Sequence, residues 1–337
     1  IHVKTKDEIG TLGDAVNQMT QGLVKAAEDE EKALEQSKMA LDGKAVQQTF
    51  LPLLINKNGG KETTAELKEQ FVHFYGYYEG ADAVSGDYFD YKKLDEKYYA
   101  IIKCDASGHG VPAALIMTVV ATLFRKYFEN WSIKTHGTNL SKLVVQINDF
   151  IESLGVKGKF ATLMICLFDT VSGDVYMCNA GDNIVHIFDS AIQKEKVLTL
   201  QESPAAGPLP SFMVDMKGGF KVEKTKLNSG DILFLYTDGI EESTRFFRDS
   251  KYQIIPCDYT NFEGQDNHFN HKIGQKSEQL EADRVKLIIE SVLNKKSFVL
   301  EKYHNPIKDE ELVFDFSKCE GTIEESILAL VSVEKIF

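Results

Sequence analysis

Apolar residues at Ile9, Leu12, Val16, Met19 and Leu23 recur in steps of three and four, the spacing of a heptad seam along one face of a helix. The seam runs on through Ala27, Glu30, Leu34, Ser37 and Leu41, with a stutter where two four-residue steps meet at Leu23. Glu30 and Ser37 put polar groups on the seam, so the pattern predicts a long helix with a weak coiled coil. Pro52 is expected to end that helix, and Asn58-Gly59-Gly60 reads as a loop. From residue 71 the period changes to that of strands. Residues 71–78 are dense in aromatics and are expected to pair with a strand at 87–91, and 98–102 reads as a buried strand. Two helices follow at about 112–130 and 139–154, the second with Leu143, Val144, Ile147 and Ile151 on one face. Residues 160–168 and 174–179 flank Thr170-Val171-Ser172-Gly173 as a hairpin, and 183–188, 220–227 and 230–238 are further strands. Residues 284–293 read as a helix, 264–279 as a polar loop and 327–333 as a final strand. Many strands with two helices inserted together predict an α+β fold with antiparallel sheets.

Acidic residues stand where these strands begin or end. One strand runs into Cys104-Asp105-Ala106-Ser107-Gly108-His109-Gly110-Val111-Pro112-Ala113-Ala114-Leu115, a tight turn that feeds a helix. Read alone, Asp105 is either a helix-capping aspartate or a carboxylate held rigidly for an oxygen-ligated cation. A second acidic position lies in Ser85-Gly86-Asp87-Tyr88-Phe89-Asp90, and a third ends the apolar run Ile232-Leu233-Phe234-Leu235-Tyr236-Thr237-Asp238-Gly239. Phe160-Ala161-Thr162-Leu163 and Asn179-Ala180-Gly181 lie between them.

This set, in this order, resembles the SpoIIE-type branch of the metal-dependent (PPM, type 2C-like) serine/threonine protein phosphatases, over roughly residues 45–337. The resemblance implies an α-β-β-α sandwich of two antiparallel sheets flanked by helices, and two Mn²⁺ or Mg²⁺ ions at a carboxylate site. It implies Asp105 as the catalytic ligand bridging the ions over a shared water, the Ala106 backbone carbonyl beside it, and Asp87 and Asp238 as further ligands. His109 is expected to shape the turn. The last ligand falls on Glu324, where the family has aspartate, with Glu325 on the opposite face of the strand. Asp182 replaces a family histidine. The substrate implied is a small phosphorylated regulatory protein resembling an anti-anti-sigma factor.

Upstream, Asp7-Glu8-Ile9-Gly10-Thr11-Leu12, followed by Asn17-Gln18-Met19, resembles the second helix of HAMP signalling domains. That implies a homodimer through the N-terminal helix, a cytoplasmic location, and a membrane span upstream of residue 1. Residues 44–52 resemble the helical linker that precedes many phosphatase domains of this branch. The expected division is 1–24 HAMP helix, 25–52 coiled-coil linker and 53–337 phosphatase domain.

Composition narrows the alternatives. The formal net charge of −13 and the lack of a basic patch argue against a nucleic-acid partner and against a nuclease. No run of 18 or more apolar residues is present. The five cysteines are scattered, and Cys104, Cys166 and Cys178 fall in predicted strands, as reduced buried thiols do. His268 and His271 lack partners at ligand spacing. Two readings remain: a metal-dependent protein phosphatase, or a catalytically weak module of the same fold that binds partners.

Overall fold

A computed structural model of the chain describes residues 8–80, 82–248, 251, 253–256, 274–300 and 312–337. Helix α1 (Glu8–Gln48) leads into the hairpin β1 (Thr64–Lys68) and β2 (His73–Tyr77), then β3 (Tyr88–Lys93) and β4 (Tyr98–Ala106). Helices α2 (Gly110–Tyr127), α3 (Ile133–His136) and α4 (Ser141–Ser153) precede β5 (Ala161–Asp169), β6 (Asp174–Ala180), β7 (Ile184–Asp189) and β8 (Lys194–Thr199). The short helix α5 (Ser211–Met216) is followed by β9 (Val222–Lys226), β10 (Ile232–Phe234) and β11 (Thr244–Phe246). Then come β12 (Ser277–Gln279), α6 (Glu281–Leu293), β13 (Ser297–Leu300), β14 (Leu312–Asp315) and α7 (Ile323–Ile336).

Strand alternation sets the layers. The larger sheet has the order β3-β4-β5-β6-β9 and the smaller β10-β7-β8, with antiparallel neighbours throughout. Ala100, Ile102, Cys104, Leu163, Ile165 and Leu167 face α2 and α4, where they meet Met117, Val120, Phe124 and Ile147. The alternate residues Met164, Cys166, Val175 and Met177 face the smaller sheet and pack on Val185, Ile187 and Leu200. Phe188 and Phe234, on the outer face of the smaller sheet, pack on Val285, Ile288 and Val292 of α6. The order of layers is therefore helix, sheet, sheet, helix, as expected. Cys104, Cys166 and Cys178 are buried free thiols in the larger sheet. By length and composition α2 is the one helix among the described residues that could cross a membrane, and its apolarity serves the core through Ala113, Met117, Val120, Ala121 and Phe124.

Four expectations are corrected. The aromatic strand β2 pairs with β1, Thr64 opposite Tyr77 through Lys68 opposite His73, and not with the Asp87 strand. A short local turn, closed by Glu69 N–H donating to the Val72 carbonyl at 2.9 Å, brings β1 to it first. Contact with β3 is through side chains, Phe74 stacking on Tyr91 at 5.2 Å between ring centres. The terminal segment is helix α7, so Glu324 and Glu325 do not lie on a strand with opposite faces. Its start is a capping box: Thr322 Oγ1 accepts from Glu325 N–H at 3.1 Å, and Glu325 Oε2 accepts from Thr322 N–H at 3.0 Å. Ser326, Leu330 and Val333 are then buried at helical spacing. Finally, α1 ends at Gln48, four residues before Pro52, and polar residues 277–279 form β12. His268 and His271 lie outside the described residues.

Between β2, the larger sheet and α7 is a cavity of about 1370 Å³, lined among others by Tyr75, Tyr91, Ile101, Phe168, Leu235 and Leu330. Asp87 and Thr237 lie on its wall.

Candidate metal centre

Cys104 and Ala106 are buried on the helix side of β4, so alternation turns Asp105 into the gap between the sheets. The β3–β4 pairing sets Tyr88 opposite Cys104, and beyond it Ala106 N–H donates to the Gly86 carbonyl at 3.2 Å. A Cβ on Gly86 would sit 2.4 Å from the Ala106 carbonyl oxygen, so only glycine admits this approach. The Ala106 carbonyl thus borders the residue before Asp87. Asp238 arrives from the other sheet, four residues beyond the end of β10. The Asp87 carboxylate accepts from Ser85 Oγ at 3.0 Å and from the Thr237 hydroxyl.

The carboxylates act on one another. Asp105 is pushed up to about 7, first by burial and then by the charges of Asp87, Asp238 and Glu242, with Lys103 opposing. Burial also raises Asp87, helped by Asp238 and opposed by its bonds from Thr237 and Ser85. Glu242 is held nearby by a turn in which its N–H donates to the Asp238 carbonyl at 2.8 Å. Lys103 is already committed: its Nζ lies 2.9 Å from Asp182 and donates to the Tyr236 carbonyl at 2.5 Å. Asp182 therefore serves as the partner of Lys103. Burial holds the Cys104 thiol well above its ordinary range, which rules it out as a nucleophile.

Among the described residues, no three His, Cys, Asp or Glu side chains are gathered tightly enough to hold a metal ion directly. The donor set still fits a hard divalent cation. It is all oxygen, it is anionic beyond what Lys103 offsets, and ions of the Mg²⁺ type keep several waters and need only one or two carboxylates.

Asp87, Asp105, the Ala106 carbonyl and Asp238 are thus brought to one end of the sandwich. Glu324 is not brought with them: it lies exposed in the first turn of α7, and its charge acts on the Tyr75 phenol of β2. The third acidic side chain acting on Asp105, after Asp87 and Asp238, is Glu242. His109 stands at the N-cap of α2, its Nδ1 3.1 Å from Asp82. Tyr78 is half-buried beside Ser85 and Asp87, and burial pushes its phenol up to about 12.

Sequence reasoning missed Gln47, at the end of α1. Its Nε2 donates to the Ser85 carbonyl at 2.5 Å and its Oε1 accepts from Ser85 N–H at 3.1 Å, both buried. Ser85 in turn holds Asp87, so α1 is tied to the site through one residue. Arg125 of α2 fastens the chain just beyond, donating to Asp90 at 2.9 Å and to the Phe50 carbonyl at 2.7 Å.

Residues 95–257 match the family model described as Stage II sporulation protein E (SpoIIE). The chain is 27% identical over 263 residues to Protein IcfG of Synechocystis sp., covering 71% of this chain and 38% of that protein. It is 24% identical over 185 residues to Phosphoserine phosphatase RsbP of Bacillus subtilis, covering 54% of this chain and 42% of the relative. The chain thus spans about two fifths of the length of these relatives. Among solved structures, the SiaA-PP2C domain of Pseudomonas aeruginosa matches with a TM-score of 0.53 at 15% identity, covering 91% of this chain and 92% of that one. This last likeness speaks to the fold.

Proposed function

From the match of residues 95–257 to the SpoIIE family model and the carboxylate site described above, we propose that this chain is a metal-dependent phosphatase acting on phosphoserine or phosphothreonine of a regulatory protein. The observation that carries this reading is the set of mutually repelling carboxylates drawn from two sheets, with Asp105 at their centre. Asp105, Asp87, Asp238 and the Ala106 carbonyl would hold the ions, two Mn²⁺ or Mg²⁺ in this proposal. When bound, such cations acidify a water and offset charge on the phosphoryl oxygens. The protein's own part is geometric. Gly86 lets two strands close on the site, Ser85 and Thr237 orient Asp87, and Lys103 is kept from the carboxylates by Asp182. Glu242 supplies the acidic neighbour that the sequence pattern assigned to Glu324.

Control through α1 belongs to the same proposal. Met19, Leu23, Leu34 and Leu41 of the seam are exposed on this helix, as a face awaiting a second copy would be. Gln47 gives a rotation or shift of a paired α1 a direct route to Ser85 and Asp87. An anti-anti-sigma-like substrate, a HAMP-type input and a cytoplasmic site below a membrane anchor rest on sequence resemblance. The test is phosphate release from a phosphoserine peptide with Mn²⁺, with Mg²⁺ and with EDTA. Release only with a divalent cation supports the reading; no release, or equal release in EDTA, contradicts it and favours the partner-binding module.

A further inference from the structure

The β10–β7 ladder stops at Phe234, yet the residue that matters is Asp238. Leu235 to Asp238 therefore extends past the sheet, and something other than a strand ladder must fix it. Two bonds to Tyr236 do so. Its carbonyl accepts from Lys103 Nζ at 2.5 Å, and its hydroxyl shares a hydrogen bond of 3.0 Å with His186 Nε2, the two rings lying 5.0 Å apart. His186 is itself held, its Nδ1 2.7 Å from Glu195 Oε1 on the neighbouring strand β8. Glu195 is anchored to the helix layer, its N–H donating to Glu290 Oε1 of α6 at 2.7 Å. His186 and Glu195 are both buried, and Glu195 Oε2 has no hydrogen-bond partner among the described residues. Glu241 also borders the Tyr236 hydroxyl. A buried chain of this kind keeps one geometry, because every break leaves a polar group unpaired in a low dielectric.

We propose that Glu195, His186 and Tyr236 form a positioning chain that fixes the Asp238 segment and thereby sets the site's affinity for its divalent cation. The proposal rests on the reading of Asp87, Asp105 and Asp238 as a metal site. All three are assigned a positioning role, acting on the cation through the Asp238 segment. Outer partners of metal ligands commonly change affinity by about 10–100-fold when removed. Tyr236 acts on its neighbour's neighbour, so the expected loss is smaller, about 3–10-fold.

The experiment is Mn²⁺ binding to the full chain, read from the paramagnetic resonance signal of free Mn²⁺, with melting temperature measured alongside. Tyr236→Phe keeps the ring and removes only the hydroxyl. It should weaken Mn²⁺ binding about 3–10-fold, His186→Ala should do the same, and the double variant should be no worse than the weaker single one, as for groups acting as a unit. Asn148→Ala is the control for mere loss of stability: Asn148 is buried in α4 and bonds to the Leu209 carbonyl and Gly207 N–H. It should melt earlier and bind Mn²⁺ as the parent does. Parental Mn²⁺ affinity in Tyr236→Phe overturns the proposal, and if Asp105→Asn loses binding in the same series the metal-site reading stands without it. Equal binding by the parent and Asp105→Asn overturns both.

Discussion

Replacing Gln47 with alanine removes both hydrogen bonds that tie Ser85 to the end of α1. Gln47 is 5% exposed and Ser85 8%, so water does not readily replace the lost partners. A buried donor or acceptor left unsatisfied costs about 1–3 kcal/mol. Two such groups, with partial relaxation of the loop, give roughly 2–4 kcal/mol. For a chain of this size that corresponds to a fall of roughly 3–6 °C in melting temperature. The more telling effect is on the site. Ser85 Oγ donates to Asp87 at 3.0 Å, and a loosened Ser85 no longer holds that carboxylate. The Mn²⁺ concentration for half-maximal phosphate release should rise severalfold, while the rate at saturating Mn²⁺ falls less. Gln47→Glu keeps an acceptor for Ser85 N–H but loses the donor to the Ser85 carbonyl, so it should fall between parent and alanine in both measurements. A Gln47→Ala protein with the parent's melting temperature and Mn²⁺ requirement would refute the coupling of α1 to the site.

Gly86→Ala drives a Cβ to 2.4 Å from the Ala106 carbonyl oxygen and 3.1 Å from the Ala113 Cβ. The expected cost is about 1–3 kcal/mol by chemical denaturation, with loss of Mn²⁺-dependent activity. Glu325→Ala breaks the capping box of α7 and should cost about 1–2 kcal/mol, whereas exposed Glu324→Ala should stay within about 0.5 kcal/mol and leave Mn²⁺ affinity unchanged. If Glu324→Ala is the variant that weakens Mn²⁺ binding, the placement of α7 away from the carboxylates is wrong. The folded pKa of Asp105, about 7, lies above its unfolded value. Its contribution to stability is therefore full below the unfolded value and is lost as pH rises through about 7. Metal-free parent should lose stability relative to Asp105→Asn between about pH 4 and 7, and saturating Mn²⁺ should abolish that loss; a difference that is flat in pH counts against it.

The layers of the sandwich were legible because their signals are local. Alternation through Ala100, Ile102 and Cys104, the hairpin turn at Ser172-Gly173 and the small residues after Asp105 each need only neighbouring sequence to be read. The carboxylates Asp87, Asp105 and Asp238 stood out because each occurs at the edge of an apolar strand run. What was not legible depends on distant partners. Gln47 looks like any polar helix residue until Ser85 is placed against it, and Asp182 has no stated role until Lys103 reaches it. The pairing of β2 turned on whether the polar β1 or the aromatic-rich β3 met it first, a choice that periodicity does not make. For α7 the signals competed. The β-branched run from Ile327 favoured a strand, while Thr322-Ile323-Glu324-Glu325 already carried the capping signature that prevails. Glu324 was assigned as a ligand through the family resemblance, and the helix that starts at Ile323 removes it from the site.

The central claim is that Asp105 serves as the anionic hub of a cation site that hydrolyses phosphoserine. Asp105→Asn preserves the side chain's shape and removes its charge. Phosphate release from a phosphoserine peptide should be measured for parent and variant across a Mn²⁺ titration, with melting temperature showing that both are folded. The parent should release phosphate in a Mn²⁺-dependent manner, and the variant should show no Mn²⁺-dependent release at any concentration. Equal turnover by the two proteins would contradict the account.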